Sequence, residues 1–315
     1  MKLLSKRKGS KKRAVRALVL FSGGLDSILA VKILLSLGVE ATALTYVSYF
    51  FDASQAKRSA RENKIKLKIV DFSKKHFEII KNPLFGRGAG MNPCIDCHLL
   101  MLKEAKKIVG SGKYHFLATG EVLGQRPMSQ NSRALELIEK KAGLVAKILR
   151  PLSAKVLPET EMEKSGMVDR AQLPGISGRS RKDQMEFAKK YKIKYYPTPA
   201  GGCILTDKEY SKKLRDLLGN IKKPKSSDFE LLRIGRHFWE GNTKIILGRD
   251  HEENLKLKKI AEKGDTLIEP KDIPGPTVLV RGKKNKNVLD FAKTLLLRYT
   301  KNAGDDFQVK IAVGK

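Results

Sequence analysis

The chain has 315 residues, 41% of them hydrophobic and 31% charged, a balance that suits a globular protein with a full core and excludes a disordered one. No stretch approaches the ~18 consecutive apolar residues of a membrane span, and the start turns basic before an apolar leader can form, so a cytoplasmic address is expected. The net charge is +31 and lopsided: residues 227–315 hold 18 Lys and Arg against 13 Asp and Glu, leaving +26 on residues 1–226. A merely solubilising surface would be more even, so a polyanion such as RNA is the expected partner.

Residues 1–15 contain seven Lys or Arg and no acid, and read as a basic arm. Arg16 to Phe21 is a short apolar run of the kind that forms a buried parallel strand. Helical spacing follows over 28–37 and stops at Gly38; a strand is expected at 41–47, a helix at 53–63 and a strand at 65–70. This rhythm predicts a doubly wound parallel α/β domain over 16–205, with ligands at the carboxyl ends of its strands. Further units are a helix at 99–108, a strand at 114–119, and a helix at 182–191 leading into a strand at Tyr195-Tyr196. Residues 206–227 read as a charged helix and linker. Residues 228–315 read as a second, smaller α+β domain, with strands near 229–235, 244–247 and 277–280 and helices near 251–263 and 287–299.

Between the first strand and helix lies Ser22-Gly23-Gly24-Leu25-Asp26-Ser27. Glycines at a helix N-terminus let backbone amides approach a phosphate, and the helix dipole favours the anion. Ser22 and Ser27 add hydroxyls, while Asp26 can hold Mg²⁺. The spacing and the missing lysine exclude a Walker loop.

All three cysteines, Cys94 and Cys97 in Pro93-Cys94-Ile95-Asp96-Cys97-His98 and Cys203 in Pro199-Ala200-Gly201-Gly202-Cys203, sit in turn-like surroundings. Inert cysteines more often lie inside apolar elements. Three chemistries remain open: an iron–sulfur cluster with one iron unligated by protein, zinc with His98 or water as a further ligand, or a redox or persulfide pair. Asp96 suits either a proton acceptor or a cap for the following helix.

Ser22–Ser27 resembles the PP-loop of the ATP pyrophosphatase superfamily, whose members adenylate their substrates. Thr119-Gly120-Glu121-Val122-Leu123-Gly124-Gln125 with Arg150-Pro151-Leu152 resembles the pattern of tRNA 4-thiouridine synthases. The resemblance spans about 16–205 and implies a PP-loop/adenine nucleotide alpha hydrolase-like fold. It implies that Ser22, Gly23, Gly24, Asp26 and Ser27 take the ATP phosphates, and that Thr45, Tyr46, Val47, Gly120 and Gln125 lie at the nucleotide. Sulfur-inserting relatives hold a 4Fe-4S cluster on three such cysteines, so Cys94, Cys97 and Cys203 become metal ligands and, with Asp26, the catalytic set. The implied partners are tRNA and a sulfur donor, either sulfide or a cysteine desulfurase. A 2-thiouridine synthase is the competing enzyme, and an ATP-sensing tRNA- or ribosome-binding factor the competing non-enzyme.

Gly248-Arg249-Asp250-His251-Glu252-Glu253-Asn254, followed by Pro274-Gly275-Pro276-Thr277-Val278, is similar to the NFACT RNA-binding domain. That resemblance implies RNA contact through Arg236, Arg249, His251 and Asn254. Phe238 or Trp239 would stack on a base or else fill the small domain's core.

Overall fold

A computed structural model describes residues 14–198, 202–304 and 306–314. Most of the expected basic arm, and Pro199 to Gly201 ahead of Cys203, lie outside the described residues. The chain divides into two compact units, Met1–Gly88 with Pro93–Gly201, and Ala89–Asn92 with Gly202–Lys315. Among the described residues no helix is long and apolar enough to cross a membrane.

The first unit runs β1 (Arg16–Leu20), α1 (Leu25–Ser36), β2 (Glu40–Val47), α2 (Ser54–Glu62), β3 (Leu67–Asp71), α3 (Ser73–Lys81), α4 (Cys94–Ile108), β4 (Phe116–Thr119), α5 (Ser132–Ala142), β5 (Ile148–Leu149), α6 (Glu161–Lys164) and α7 (Lys182–Lys190). Its five strands are all parallel in the order β3-β2-β1-β4-β5, the expected doubly wound α/β sheet. Successive residues of β1 face opposite cores: Ala17 and Val19 pack with Ile28, Leu29 and Ile33 of α1, while Leu18 packs with Leu44, Leu102 and Ile138. A central strand covered on both faces must be apolar throughout, which is why Arg16–Leu20 reads as an unbroken run. Leaving β1, the chain winds outward through β2 and β3, then crosses back to β4 on the other side. The strand order therefore reverses between β1 and β4, and the crevice at their carboxyl ends is where such sheets take ligands.

Tyr195-Tyr196, expected as a strand, has no partner strand and runs as irregular chain, with Asn63 donating to the Tyr195 carbonyl at 2.8 Å. The helix expected at 99–108 begins five residues earlier, at Cys94.

His76 of α3 is buried against Phe50, Phe51 and Phe72, stacked on the last with ring centroids 5.1 Å apart, and neither ring nitrogen has a partner. Burial pushes its pKa down from 6.5 to about 4. Between those values the unfolded chain binds the proton and the folded chain does not, so stability rises as pH rises through that window and is lost toward acid, by about 3 kcal/mol in all. Urea unfolding at pH 4.5 and 7.5 checks this: His76→Phe should flatten the slope relative to the parent chain.

The second unit runs α8 (Lys208–Asn220), α9 (Ser226–Leu231), β6 (Arg236–Glu240), β7 (Thr243–Leu247), α10 (His251–Ile260), β8 (Thr266–Pro270), β9 (Val278–Arg281), α11 (Lys286–Tyr299) and β10 (Val309–Val313). Its antiparallel sheet has the order β10-β8-β9-β7-β6. This is the smaller α+β module. Within 206–227 the expected charged helix is α8, and at its start the Ser211 hydroxyl donates to the Leu205 carbonyl at 2.9 Å, as the Met91 amide does at 2.8 Å. In place of the strand expected at 229–235, residues 229–231 end α9, started where Asp228 accepts the Lys225 amide at 2.8 Å, and 232–235 form a turn. Arg281 then ties α9 to the sheet through Asp228 and Asp265.

Candidate active site

The phosphate loop leaves β1 at its carboxyl end and closes on α1, in the crevice the strand order creates. Gly23 has φ +80°, and a Cβ there would meet the Ala56 Cα at 2.8 Å, so only glycine lets this turn lie on α2. Ser59 donates to the Gly23 carbonyl at 2.7 Å from below. Ser27 donates to the Gly24 carbonyl at 2.8 Å, and the Gly24 amide reaches Ser22 Oγ at 3.3 Å. No side chain caps α1 at Gly24, which leaves first-turn amides for an anion. Asp26 receives Gln125 Nε2 on Oδ2 at 2.9 Å, while its buried Oδ1 has no partner. Burial raises the Asp26 pKa against the pull of Gln125, Arg181 and Arg126. A carboxylate with a spare buried oxygen fits a cation ligand.

The other residues expected at the nucleotide divide by role. Gly120 lies against the loop, where a Cβ would come within 2.7 Å of the Asp26 and Ser27 backbone. Thr45 donates to the Phe21 carbonyl, just before Ser22, at 2.6 Å, and the Tyr46 hydroxyl donates to the Met101 carbonyl at 3.0 Å. Val47 ends β2, half-buried. Gly120→Ala is expected to destabilise the chain by about 1–3 kcal/mol through overpacking and to weaken ATP binding, read by thermal unfolding and ATP titration. An unchanged ATP titration would separate this crossing from the nucleotide site.

Cys94 and Cys97 occupy the first turn and a half of α4, three residues apart and so on one helix face, and both are half-buried. Cys203 belongs to the second unit, is exposed, and precedes a short turn in which the Thr206 hydroxyl donates to its carbonyl at 2.7 Å. Among the described residues no three His, Cys, Asp or Glu side chains stand together as a metal site. The thiol donors themselves suit iron–sulfur ligation. Asp96 does not cap α4: its buried carboxylate accepts the Leu84 and Phe85 amides at 3.0 and 3.1 Å.

Motif spacing alone missed the buried network beside Cys97. Glu121, the residue after Gly120, accepts Thr119 Oγ1 at 2.9 Å and Arg150 Nε at 2.9 Å, and lies 3.0 Å from His98 Nδ1. Arg150 also pairs with Glu139 of α5. Burial would raise the Glu121 carboxyl, but Arg150, His98 and Thr119 outweigh it and hold the carboxyl well below its usual range. Glu121 and Arg150 both stand inside the quoted motifs; only their meeting was illegible.

In the second unit, Arg236 lies over the Tyr299 ring at 4.9 Å and His251 is exposed. Arg249 forms a bidentate pair with Glu253, leaving about half of its side chain exposed. Asn254 is spent on the fold: it accepts the Thr277 amide at 2.9 Å and donates to the Gly275 carbonyl, stitching the two halves of the motif together. Phe238 packs into the core and Trp239 is half-buried, with Lys244 Nζ 5.8 Å from its ring centre.

Residues 13–160 match the family model described as thiamine biosynthesis protein (ThiI), and residues 235–315 match that of the NFACT protein RNA binding domain. The two matches fall in different units of the chain, residues 13–160 in the first and 235–315 in the second. No curated protein matches it significantly. Three solved structures show weak similarity. A predicted subunit of tRNA methyltransferase from Methanocaldococcus jannaschii is 22% identical, covering 43% of this chain and 68% of that one, with a TM-score of 0.32. A 4-thiouridine synthetase–RNA complex with bound ATP is 22% identical over 69% of this chain, with a TM-score of 0.41; the match spans 52% of that synthetase. The U34-tRNA thiolase NcsA from Methanococcus maripaludis, with its 4Fe-4S cluster, is 18% identical over 69% of each chain, with a TM-score of 0.34.

Proposed function

We propose that this chain is an ATP-dependent tRNA sulfurtransferase that adenylates a uridine base oxygen and replaces it with sulfur, 4-thiouridine being the favoured product. One observation carries the reading. Consecutive residues at the end of β4 touch the two halves of the chemistry, Gly120 against the phosphate loop and Glu121 against His98, the neighbour of Cys97. The Ser22–Ser27 loop and the start of α4 are therefore both reached from one strand end, which supports placing nucleotide activation and thiol chemistry there.

In the proposed reaction the base oxygen attacks the α-phosphate of ATP, the bond to the β-phosphate breaks, and pyrophosphate leaves. A sulfur nucleophile then adds to the activated base carbon, and AMP departs with the original oxygen. The chain supplies position and electrostatics: the amides of Gly23, Gly24 and the first turn of α1, with the Ser22 and Ser27 hydroxyls, hold phosphate charge. Asp26 would hold Mg²⁺, whose charge offsets that of the phosphates. Cys94 and Cys97, with Cys203 as third donor, would hold a 4Fe-4S cluster, whose remaining iron can carry sulfide. Arg236, Arg249 and His251 of the second unit would contact tRNA phosphates or bases. Sulfide or a cysteine desulfurase would supply the sulfur.

The test is nucleoside mass spectrometry of tRNA from a deletion strain, together with pyrophosphate release from ATP by the purified chain. Loss of 4-thiouridine with tRNA-dependent release supports the proposal, and loss of 2-thiouridine instead would move the sulfur to the other oxygen. Unchanged thiouridine with no release would identify an ATP-sensing RNA-binding factor.

A further inference from the structure

α7 runs beside α1 and in the same direction. At their carboxyl ends the Ser36 and Tyr191 hydroxyls lie 3.3 Å apart, and at their amino ends Arg181 and Gln184 act on Asp26. Two helix N-termini, each the positive end of a dipole, therefore meet at the phosphate loop. Nothing in Lys182–Lys190 read as a sequence marks this, since the segment is an ordinary charged helix.

The polar groups gathered there are short of partners. Gln184 is fully buried; its Nε2 and Oε1 lack a partner at full hydrogen-bond geometry, and its amide acts on the Asp26 carboxylate only as a weak donor. Arg181 Nε and Asp26 Oδ1 are likewise buried without a partner. Folded proteins pair nearly all buried polar groups of this kind. Two of the three groups, Arg181 Nε and Gln184 Nε2, are donors that a phosphate chain at the neighbouring loop would satisfy. Arg181 offers the guanidinium fork suited to phosphate oxygens, Gln184 offers an amide donor, and Asp26 keeps an oxygen for the accompanying cation.

We infer that Arg181 and Gln184 form a second half-site for the β- and γ-phosphates of ATP, the part that leaves as pyrophosphate, opposite the loop of Gly23 and Gly24. The inference rests on the ATP reading above and assigns its leaving-group end to α7. The adenosine and α-phosphate do not touch this half-site, so ligands that lack the outer phosphates bind independently of it.

Calorimetric titration of the full chain with ATP, pyrophosphate and AMP, each with Mg²⁺, tests it in the parent, Arg181→Met and Gln184→Met. Loss of one charge-assisted hydrogen bond should weaken ATP and pyrophosphate at least ~10-fold, while AMP changes less than about twofold. Gln184→Met should also match or exceed the parent's thermal midpoint without ligand, because it replaces an orphaned amide with an apolar chain of similar shape. A merely structural Gln184 would give the opposite pattern, a lower midpoint with pyrophosphate affinity intact, and that result overturns the assignment. So does equal weakening of AMP and pyrophosphate. A parent chain that binds neither ATP nor pyrophosphate removes the ATP reading itself, whereas a parent that binds both with unaltered variants removes only the role of α7.

Discussion

Arg150→Met is expected to be the most destabilising single change in the first unit, costing about 3–5 kcal/mol. Arg150 is 5% exposed and pairs with both Glu121 and Glu139. Removing the guanidinium leaves two neighbouring carboxylates, one of them buried, without their cation. The loss should be partly restored in the double variant Arg150→Met/Glu121→Gln, since a neutral pair no longer suffers the desolvation of a lone charge. Chemical denaturation of the parent, both single variants and the double variant reads the coupling directly; strictly additive losses would remove the ion pair as the cause. The pH dependence has a sign as well. The Glu121 carboxyl is held well below its usual range, so the unfolded chain binds its proton first as pH falls and this pair's contribution is lost toward acid. Arg150→Met should abolish that part of the acid dependence.

Cys94→Ala and Cys97→Ala are expected to separate the two halves of the proposed reaction. Neither thiol is on the phosphate loop, so ATP titrations should stay within about threefold of the parent, whereas thiouridine formation should fall at least ~10³-fold if the thiols act in the chemical step. A readout independent of activity accompanies this. Anaerobically purified parent chain should carry about four irons for a 4Fe-4S centre, and each variant should lose most of that iron. A colourless parent that still thiolates would reassign Cys94, Cys97 and Cys203 to a persulfide relay. Variants with full thiolation would remove the cysteines from the reaction altogether.

Much of this protein was legible before any fold was known, because its signals are local. An apolar run, two glycines and a helical stretch are enough to announce a strand–loop–helix unit whose free backbone amides suit an anion. The β–α alternation that follows implies a parallel sheet, and Gly248 to Asn254 marks the second module. Short apolar segments were less readable: residues 229–235 look equally like a strand or a helix, and only the Asp228 cap, set by its contact with Lys225, decides for the helix at 229–231. Side chains that keep good residue types for one role can also be committed to another, as Asp96 is to the Leu84 and Phe85 amides and Asn254 to Thr277 and Gly275.

What the linear chain determined by itself was the chemistry on offer: a phosphate loop, three thiols and a strongly basic surface. Where those groups meet was decided by the tertiary structure alone. The strand order places the ends of β1 and β4 side by side, bringing Gly120 against Asp26 although 94 positions separate them in the sequence. The same crossing delivers Glu121 to His98 and Arg150, and lays the start of α7 beside the loop. Sequence patterns carry the period of a helix or strand, which neighbouring residues set. Strand order is set by which buried faces pack together, and contacts between residues a hundred positions apart leave no periodic trace along the chain.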